Sequence, residues 1–225
     1  MQPIIEHPWN ITEKEALVLQ KDLSNRVILE NNLDAIKLVA GVDVAYSKES
    51  NKLIAAVVIL DAVTLEVIET VIAEDTEQFP YIPGLFSFRE LPSLVKAFAK
   101  LSHRPDLVIC DGQGYAHPRR FGLACHLGVI FDIPAIGCGK TRLLGKYQNL
   151  ETTRGAFAPL VENNEIIGNA LRTQTNIKPI FISVGHRVSL STACEWVLKL
   201  TPKYRLPETT RQADQLVKVT IKQLS

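Results

Sequence analysis

Four carboxylates stand where the surrounding sequence argues for an opening rather than an ordinary solvent face: Asp43, Glu90, Asp111 and Asp214. Asp43 interrupts the apolar run Leu38-Val39-Ala40-Gly41-Val42-Asp43-Val44-Ala45, and an ionised carboxylate inside a central strand is costly unless something positive offsets it. Asp111 follows Asp106-Leu107-Val108-Ile109-Cys110, at the C-terminal end of a short apolar strand, where open α/β sheets place their ligands. One such Asp is as readily satisfied by backbone amides or an arginine. Two on neighbouring strands favour a shared cation. Oxygen donors without a nearby His or Cys point to Mg²⁺, with Mn²⁺ as a substitute, rather than zinc. Such an ion suits activation of water and in-line displacement at phosphorus.

Two further side chains bear on the same chemistry. Lys140, in Gly137-Cys138-Gly139-Lys140, could contact a scissile phosphate or the attacking water, and His117 could bind phosphate or shuttle a proton. Either His117 or His186 could equally be a locally satisfied structural histidine. Gly139-Lys140-Thr141 invites a phosphate-cradling loop and hence a phosphotransferase, but the glycine needed five residues before Gly139 is Pro134, which lacks the amide that loop requires.

The elements that must position these residues follow from apolar periodicity. Thr12 and Glu15 have the spacing of a capping box, and Ala16, Leu17, Leu19, Leu23, Val27 and Ile28 continue at helical spacing, which predicts a helix over 12–30. Apolar runs over 38–46, 53–60 and 65–73, joined by short polar turns, predict an antiparallel three-strand meander. After the break at Pro80 to Pro83 comes a helix over 88–101. A strand over 107–110, a helix over 122–129 and a strand over 133–138 then imply parallel pairing through crossover helices. Residues 150–184 read as further strands, 177–184 most clearly, followed by helices over 191–200 and 208–224. The fold class is therefore α/β, with a mixed central sheet flanked by helices.

Composition narrows the remaining classes. With 225 residues, 46% of them hydrophobic, the chain can bury a sizeable core, and a single domain over 1–225 is expected. A net charge of +1 does not announce a nucleic-acid binder, although His117-Pro118-Arg119-Arg120 and the segment 199–205 could line a basic groove. No signal peptide or membrane span is visible, so a soluble cytoplasmic protein is expected. The four cysteines lack Cys-x-x-Cys spacing and read as reduced core thiols. Nothing suggests a dimerisation element, so a monomer is expected.

Pro80-Tyr81-Ile82-Pro83 sets an aromatic and an aliphatic side chain between two residues of restricted φ, a rigid tip that could part base pairs or simply pack as a turn. Gly112, Gly114, Gly137 and Gly139 either admit a ligand close to the backbone or only turn the chain.

In order, Asp43, Glu90, Asp111 and Asp214 resemble the acidic residues of the ribonuclease H-like superfamily, which lie on the first strand, the first crossover helix, the fourth strand and a late helix. Five blocks are similar to those of the endonuclease V family: Val39 to Tyr46, Pro80 to Glu90, Asp111-Gly112-Gln113-Gly114 with His117-Pro118-Arg119, Gly137 to Lys140, and Ser183-Val184-Gly185-His186. The resemblance spans about residues 8 to 215. It implies a ribonuclease H-like fold and a Mg²⁺-dependent endonuclease of DNA repair. Asp43, Asp111 and Glu90 would bind the metal, Asp214 would support them, and Lys140 and His117 would complete the catalytic set. It assigns Pro80, Tyr81, Ile82 and Pro83 to a strand-separating wedge. Gly112, Gly114, Gly137 and Gly139 would form the base pocket, walled by Leu85 and Leu123. The implied partner is DNA carrying a deaminated purine such as deoxyinosine, cut at the second phosphodiester bond 3′ to the lesion. Cleavage of inosine-containing RNA and non-catalytic binding of inosine-containing nucleic acid are the alternatives.

Overall fold

A helix begins where Thr12 caps it: the Thr12 side chain accepts from the Glu15 amide while Glu15 reaches back to the Thr12 amide, giving α1 (Glu13–Ser24). It ends six residues before the expected boundary. Ile28 donates its amide to His186 Nδ1 at 3.2 Å and accepts from the Arg187 amide at 2.8 Å, so tertiary bonds replace helical ones here. Apolar residues at nearly every position make β1 (Leu38–Tyr46) and β2 (Lys52–Asp61) strands that are covered on both faces. The computed structural model of the protein describes residues 1–47 and 50–223; the turn expected over 48–52 and the last residue of the helix expected to 224 lie partly outside them. β3 (Val67–Thr76) follows a turn in which the Asp61 carboxylate accepts from the Val63 and Thr64 amides, both at 2.8 Å. Leu65 has φ 60° in that turn, which delays the start of β3 past the expected residue.

The crossover helices α2 (Phe86–Ala99) and α3 (Leu123–Phe131) return the chain so that β4 (Leu107–Cys110) pairs parallel to β1, and β5 (Ala135–Gly139) pairs parallel to β4. A second meander then adds to the other side: β6 (Phe157–Glu162), β7 (Glu165–Leu171) and β8 (Ile180–His186), with β8 antiparallel to β5. One sheet results, in the order β3-β2-β1-β4-β5-β8-β7-β6. Two helices close the chain, α4 (Leu190–Lys199) and α5 (Glu208–Gln223). This is the mixed sheet flanked by helices that the apolar pattern predicts.

Alternation along β1 divides the core between two layers. Ala40, Val42 and Val44 pack with Leu91, Leu94 and Phe98 of α2 and with Leu127 and Phe131 of α3. Val39 packs on the opposite face with Ile109, Ile136 and Ile182, under Val197 of α4 and Ala213 of α5. Each fully buried Leu or Phe contributes about 1.5–3 kcal/mol. At Gly41 a Cβ would lie 2.2 Å from the Thr209 carbonyl carbon, so α5 rests directly on the backbone of β1. That contact brings Asp214, in the second turn of α5, toward the end of the strand that carries Asp43.

After β5, residues 140–156 form no helix. A phosphate-cradling loop needs a helix starting at its lysine, so the phosphotransferase alternative loses its structural context. The four cysteines are buried and unbridged. Among the described residues no helix is long and apolar enough to cross a membrane.

Candidate active site

The parallel register of β1 and β4 sets Val42 opposite Cys110, so the next residues along, Asp43 and Asp111, leave the paired region side by side. Neighbouring strands are about 4.8 Å apart, which puts the two carboxylates within strong mutual influence. Burial, then the negative charges of Asp111 and Asp214, push the Asp43 carboxyl up to about 7, with Lys140 opposing. Glu90 enters from α2. Burial holds its carboxyl well above the usual range, and Asp43 and Asp111 push the same way, while the Tyr46 hydroxyl, donating to Oε1 at 2.9 Å, works against them. Lys140 pairs with Asp111; burial disfavours its charge, but Asp111, Asp43 and Asp214 outweigh that and hold the ammonium above its ordinary range. Asp214 also pairs with Lys218 at 2.7 Å.

One lysine thus faces several carboxylates that destabilise one another. Oxygen donors under mutual repulsion fit a hard divalent cation, which would relieve that repulsion. Among the described residues no three acidic, histidine or cysteine side chains are drawn together as a ready ligand shell. Asp43 and Asp111 each follow directly on the register pair Val42 and Cys110, and Glu90 Oε1 is engaged by Tyr46. Arg89 stacks over the Tyr46 ring, 4.6 Å from its centroid, and pairs with Glu77 at 2.7 Å, which steadies Tyr46 from behind.

Beside the acids, directly after Asp111, opens a cleft of about 310 Å³, lined among others by Gly112, Gln113, His117, Leu123, Ser87 and Tyr81. Its size is at the lower end of the small-ligand range. Of the glycines expected on the pocket, only Gly112 lines it. Gly114 and Gly137 sit behind it as packing glycines: a Cβ on Gly114 would lie 2.1 Å from the Val184 carbonyl oxygen, and one on Gly137 2.3 Å from the Gly114 nitrogen. Gly139 lies against the Gln113 side chain. Leu123 lines the cleft, whereas Leu85 is a core residue packed with Phe79 and Phe88.

Tyr81, 65% exposed, projects from the rim. Pro80 and Pro83 are exposed as well, and half-buried Ile82 packs against the cluster of Ala16, Phe79, Leu85 and Phe88. Gly84, at φ +80°, turns the chain below this tip. The Gly84 carbonyl accepts from Arg119 Nη2 at 2.6 Å and from Gln20 Nε2 at 2.9 Å, and Arg119 Nε also donates to Gln20 Oε1. His117 is buried and pushed down to about 4 by burial first and then by Arg119. It is therefore neutral at pH 7, and its Nδ1 accepts from the Arg119 amide at 3.2 Å. His186 belongs to a different network, 3.2 Å from Asp132 and bonded to Ile28.

Tyr46, Gln20 and Gln113 escape sequence reasoning as site residues, and Arg119 is expected there only as part of a basic groove. Tyr46, Gln113 and Arg119 lie inside the blocks quoted above, and their polar groups next to the key acids and glycines were the available signal. Gln113 stands out because its Nε2 donates to the Thr141 carbonyl at 3.0 Å, while its buried Oε1 has no partner among the described residues.

The family model described as Endonuclease V matches residues 21–215. Endonuclease V of Nostoc sp. is 48% identical over 217 residues, which are 96% of this chain and 98% of that protein. The crystal structure of Endonuclease V from Streptomyces avermitilis, 46% identical, superposes with a TM-score of 0.93 over 100% of this chain and 99% of that one. A Ciona intestinalis Endonuclease V (D234N), crystallised with a 23mer DNA containing an inosine followed by a ribo-adenosine, is 25% identical with a TM-score of 0.85 over 96% of this chain and 100% of that one. The fold is the ribonuclease H-like one that the order of acids implies.

Proposed function

This chain belongs to the endonuclease V family, and from that premise we propose that it is a Mg²⁺-dependent endonuclease, with Mn²⁺ as a substitute, that nicks DNA beside a deaminated purine. The observation that carries this reading is the placement of Asp43 on β1 beside Asp111, the residue just past the parallel strand β4, next to a cleft rimmed by exposed Tyr81. Asp43 and Asp111 would hold the cation, Glu90 would ligate it directly or through water, and Asp214 would support the site. When bound, the cation supplies neutralising charge for the carboxylates and for the oxygen that departs from phosphorus.

The chain's own residues supply the rest. Tyr46 keeps one Glu90 oxygen occupied and so orients the other. Lys140, whose ammonium is held charged beside Asp111, is suited to contact the scissile phosphate. The tip from Pro80 to Pro83 would enter the gap left when a base is turned out, and its anchoring by Arg119 and Gln20 makes that entry rigid. The displaced base would occupy the cleft, whose neutral His117 offers hydrogen bonding without charge.

By family likeness the cut falls at the second phosphodiester bond 3′ to the lesion, leaving 3′-hydroxyl and 5′-phosphate ends. A duplex with one deoxyinosine tests this. A nick at that bond in Mg²⁺ and none in EDTA is expected; lesion binding without any metal-dependent nick would refute the enzyme reading. A second reading, cleavage of inosine-containing RNA, draws on the ribo-adenosine in the Ciona complexes, and the same assay on RNA separates the two.

A further inference from the structure

A line of hydrogen bonds runs from the N-terminal segment into the wall of the cleft. His7 Nδ1 lies 3.1 Å from the Pro8 carbonyl, His7 Nε2 lies 2.8 Å from His126 Nε2, and His126 Nδ1 lies 3.0 Å from Ser87 Oγ. Ser87 lines the cleft from the first turn of α2. Neither histidine serves the chemistry described above, and His126 and Ser87 are buried.

The direction of this line is determined from its far end. A carbonyl can only accept, so His7 carries its proton on Nδ1 and leaves Nε2 bare. His126 must then donate from Nε2, which leaves His126 Nδ1 as an acceptor. Ser87 satisfies it by donating its hydroxyl proton. With that proton committed, the Ser87 oxygen presents lone pairs alone to the cleft.

Both rings are kept neutral, as the chain of bonds requires. Burial pushes His7 down and His126 well down, and in His126 the neighbouring His7 adds to the effect. Phe88 and Phe121 flank the His126 ring, with centroids 4.9 and 5.2 Å away, and Trp9 stands 5.6 Å away, so apolar rings surround it.

We infer that Ser87 is a specificity residue for the base in the cleft, an obligate acceptor whose polarity is set by His126 and, at one remove, by His7. This rests on the reading of the cleft as a deaminated-purine site and says how that site discriminates. Hypoxanthine carries a hydrogen on N1 and adenine carries a lone pair there. The Ser87 oxygen accepts from the first and is repelled by the second. To serve adenine, Ser87 must turn its proton into the cleft and abandon a buried His126 nitrogen, an unfavourable exchange. His7 is a positioning residue, acting through His126 without touching the base.

Affinity for single-stranded oligonucleotides differing only in one deoxyinosine or deoxyadenosine tests this without base-pair energetics, in EDTA so that no cleavage intervenes. The wild type should prefer deoxyinosine. Ser87→Ala should reduce that preference roughly tenfold, about one buried hydrogen bond. His7→Phe, which frees His126 to take the other tautomer and Ser87 to donate, should reduce it in the same direction. Equal losses toward both oligonucleotides, or unchanged preference in both variants at wild-type melting temperature, would overturn the assignment. A wild type with no preference for deoxyinosine would instead overturn the reading of the cleft itself, and this inference with it.

Discussion

Asp43→Asn should stabilise the metal-free protein while removing its cleavage activity. Burial and the charges of Asp111 and Asp214 raise the Asp43 carboxyl from 3.8 to about 7. The folded state therefore holds this proton more tightly than the unfolded chain does. Stability is fully present below the unfolded value and falls as pH rises from about 4 to about 7, then levels off. A shift of about three units at 1.36 kcal/mol each sets a ceiling of ~4 kcal/mol. Partial exposure reduces this through solvent screening, and about half, ~2 kcal/mol, is the working figure. At this chain length 1 kcal/mol moves Tm by about 2–4 °C, so Asn should raise Tm by ~4–8 °C near pH 8 in EDTA. Near pH 5 only part of the window has been crossed, and the gain should shrink to roughly a third. Thermal unfolding followed by near-UV circular dichroism measures both. Equal gains at the two pH values, or a loss near pH 8, would refute the coupling of Asp43 to its neighbours.

Other perturbations follow from the packing. Gly41→Ala places a methyl 2.2 Å from the Thr209 backbone, so it should cost about 1–3 kcal/mol or more in a denaturant titration and also slow cleavage by shifting α5 and Asp214. Tyr81→Ala, at a site 65% exposed, should change stability by no more than ~0.5 kcal/mol yet weaken the preference for inosine-containing over normal duplex in competition binding. Arg119→Met should lower that preference too, but with a stability loss of about 1 kcal/mol, because the Gly84 carbonyl and Gln20 lose a partly buried donor.

The sheet was legible because its signals are local. Asp43 inside a run of Val and Ala, and Asp111 at the end of Leu107–Cys110, needed only strand periodicity and a crossover helix to be brought together. The hairpin between β6 and β7 carried a signal that went unused: Asn163 and Asn164 both adopt positive φ, 51° and 65°, the backbone of a tight hairpin turn. The end of α1 was not legible, since it depends on Ile28 meeting residues 186 and 187. The wall of the cleft was hidden for the same reason. Gln20 bonds to Phe121 across 101 positions of sequence, Gly114 lies against the Val184 carbonyl, and Gly137 lies against the Gly114 backbone. Glycines that admit a ligand and glycines that admit a neighbouring strand have the same appearance in a sequence.

The central claim is that Asp43 and Asp111 together hold a divalent cation, and calorimetric titration of the purified protein with Mn²⁺ tests it most directly. The wild type should bind saturably, and Asp43→Asn and Asp111→Asn should each weaken binding by at least about tenfold. Wild-type affinity in both variants would contradict the account.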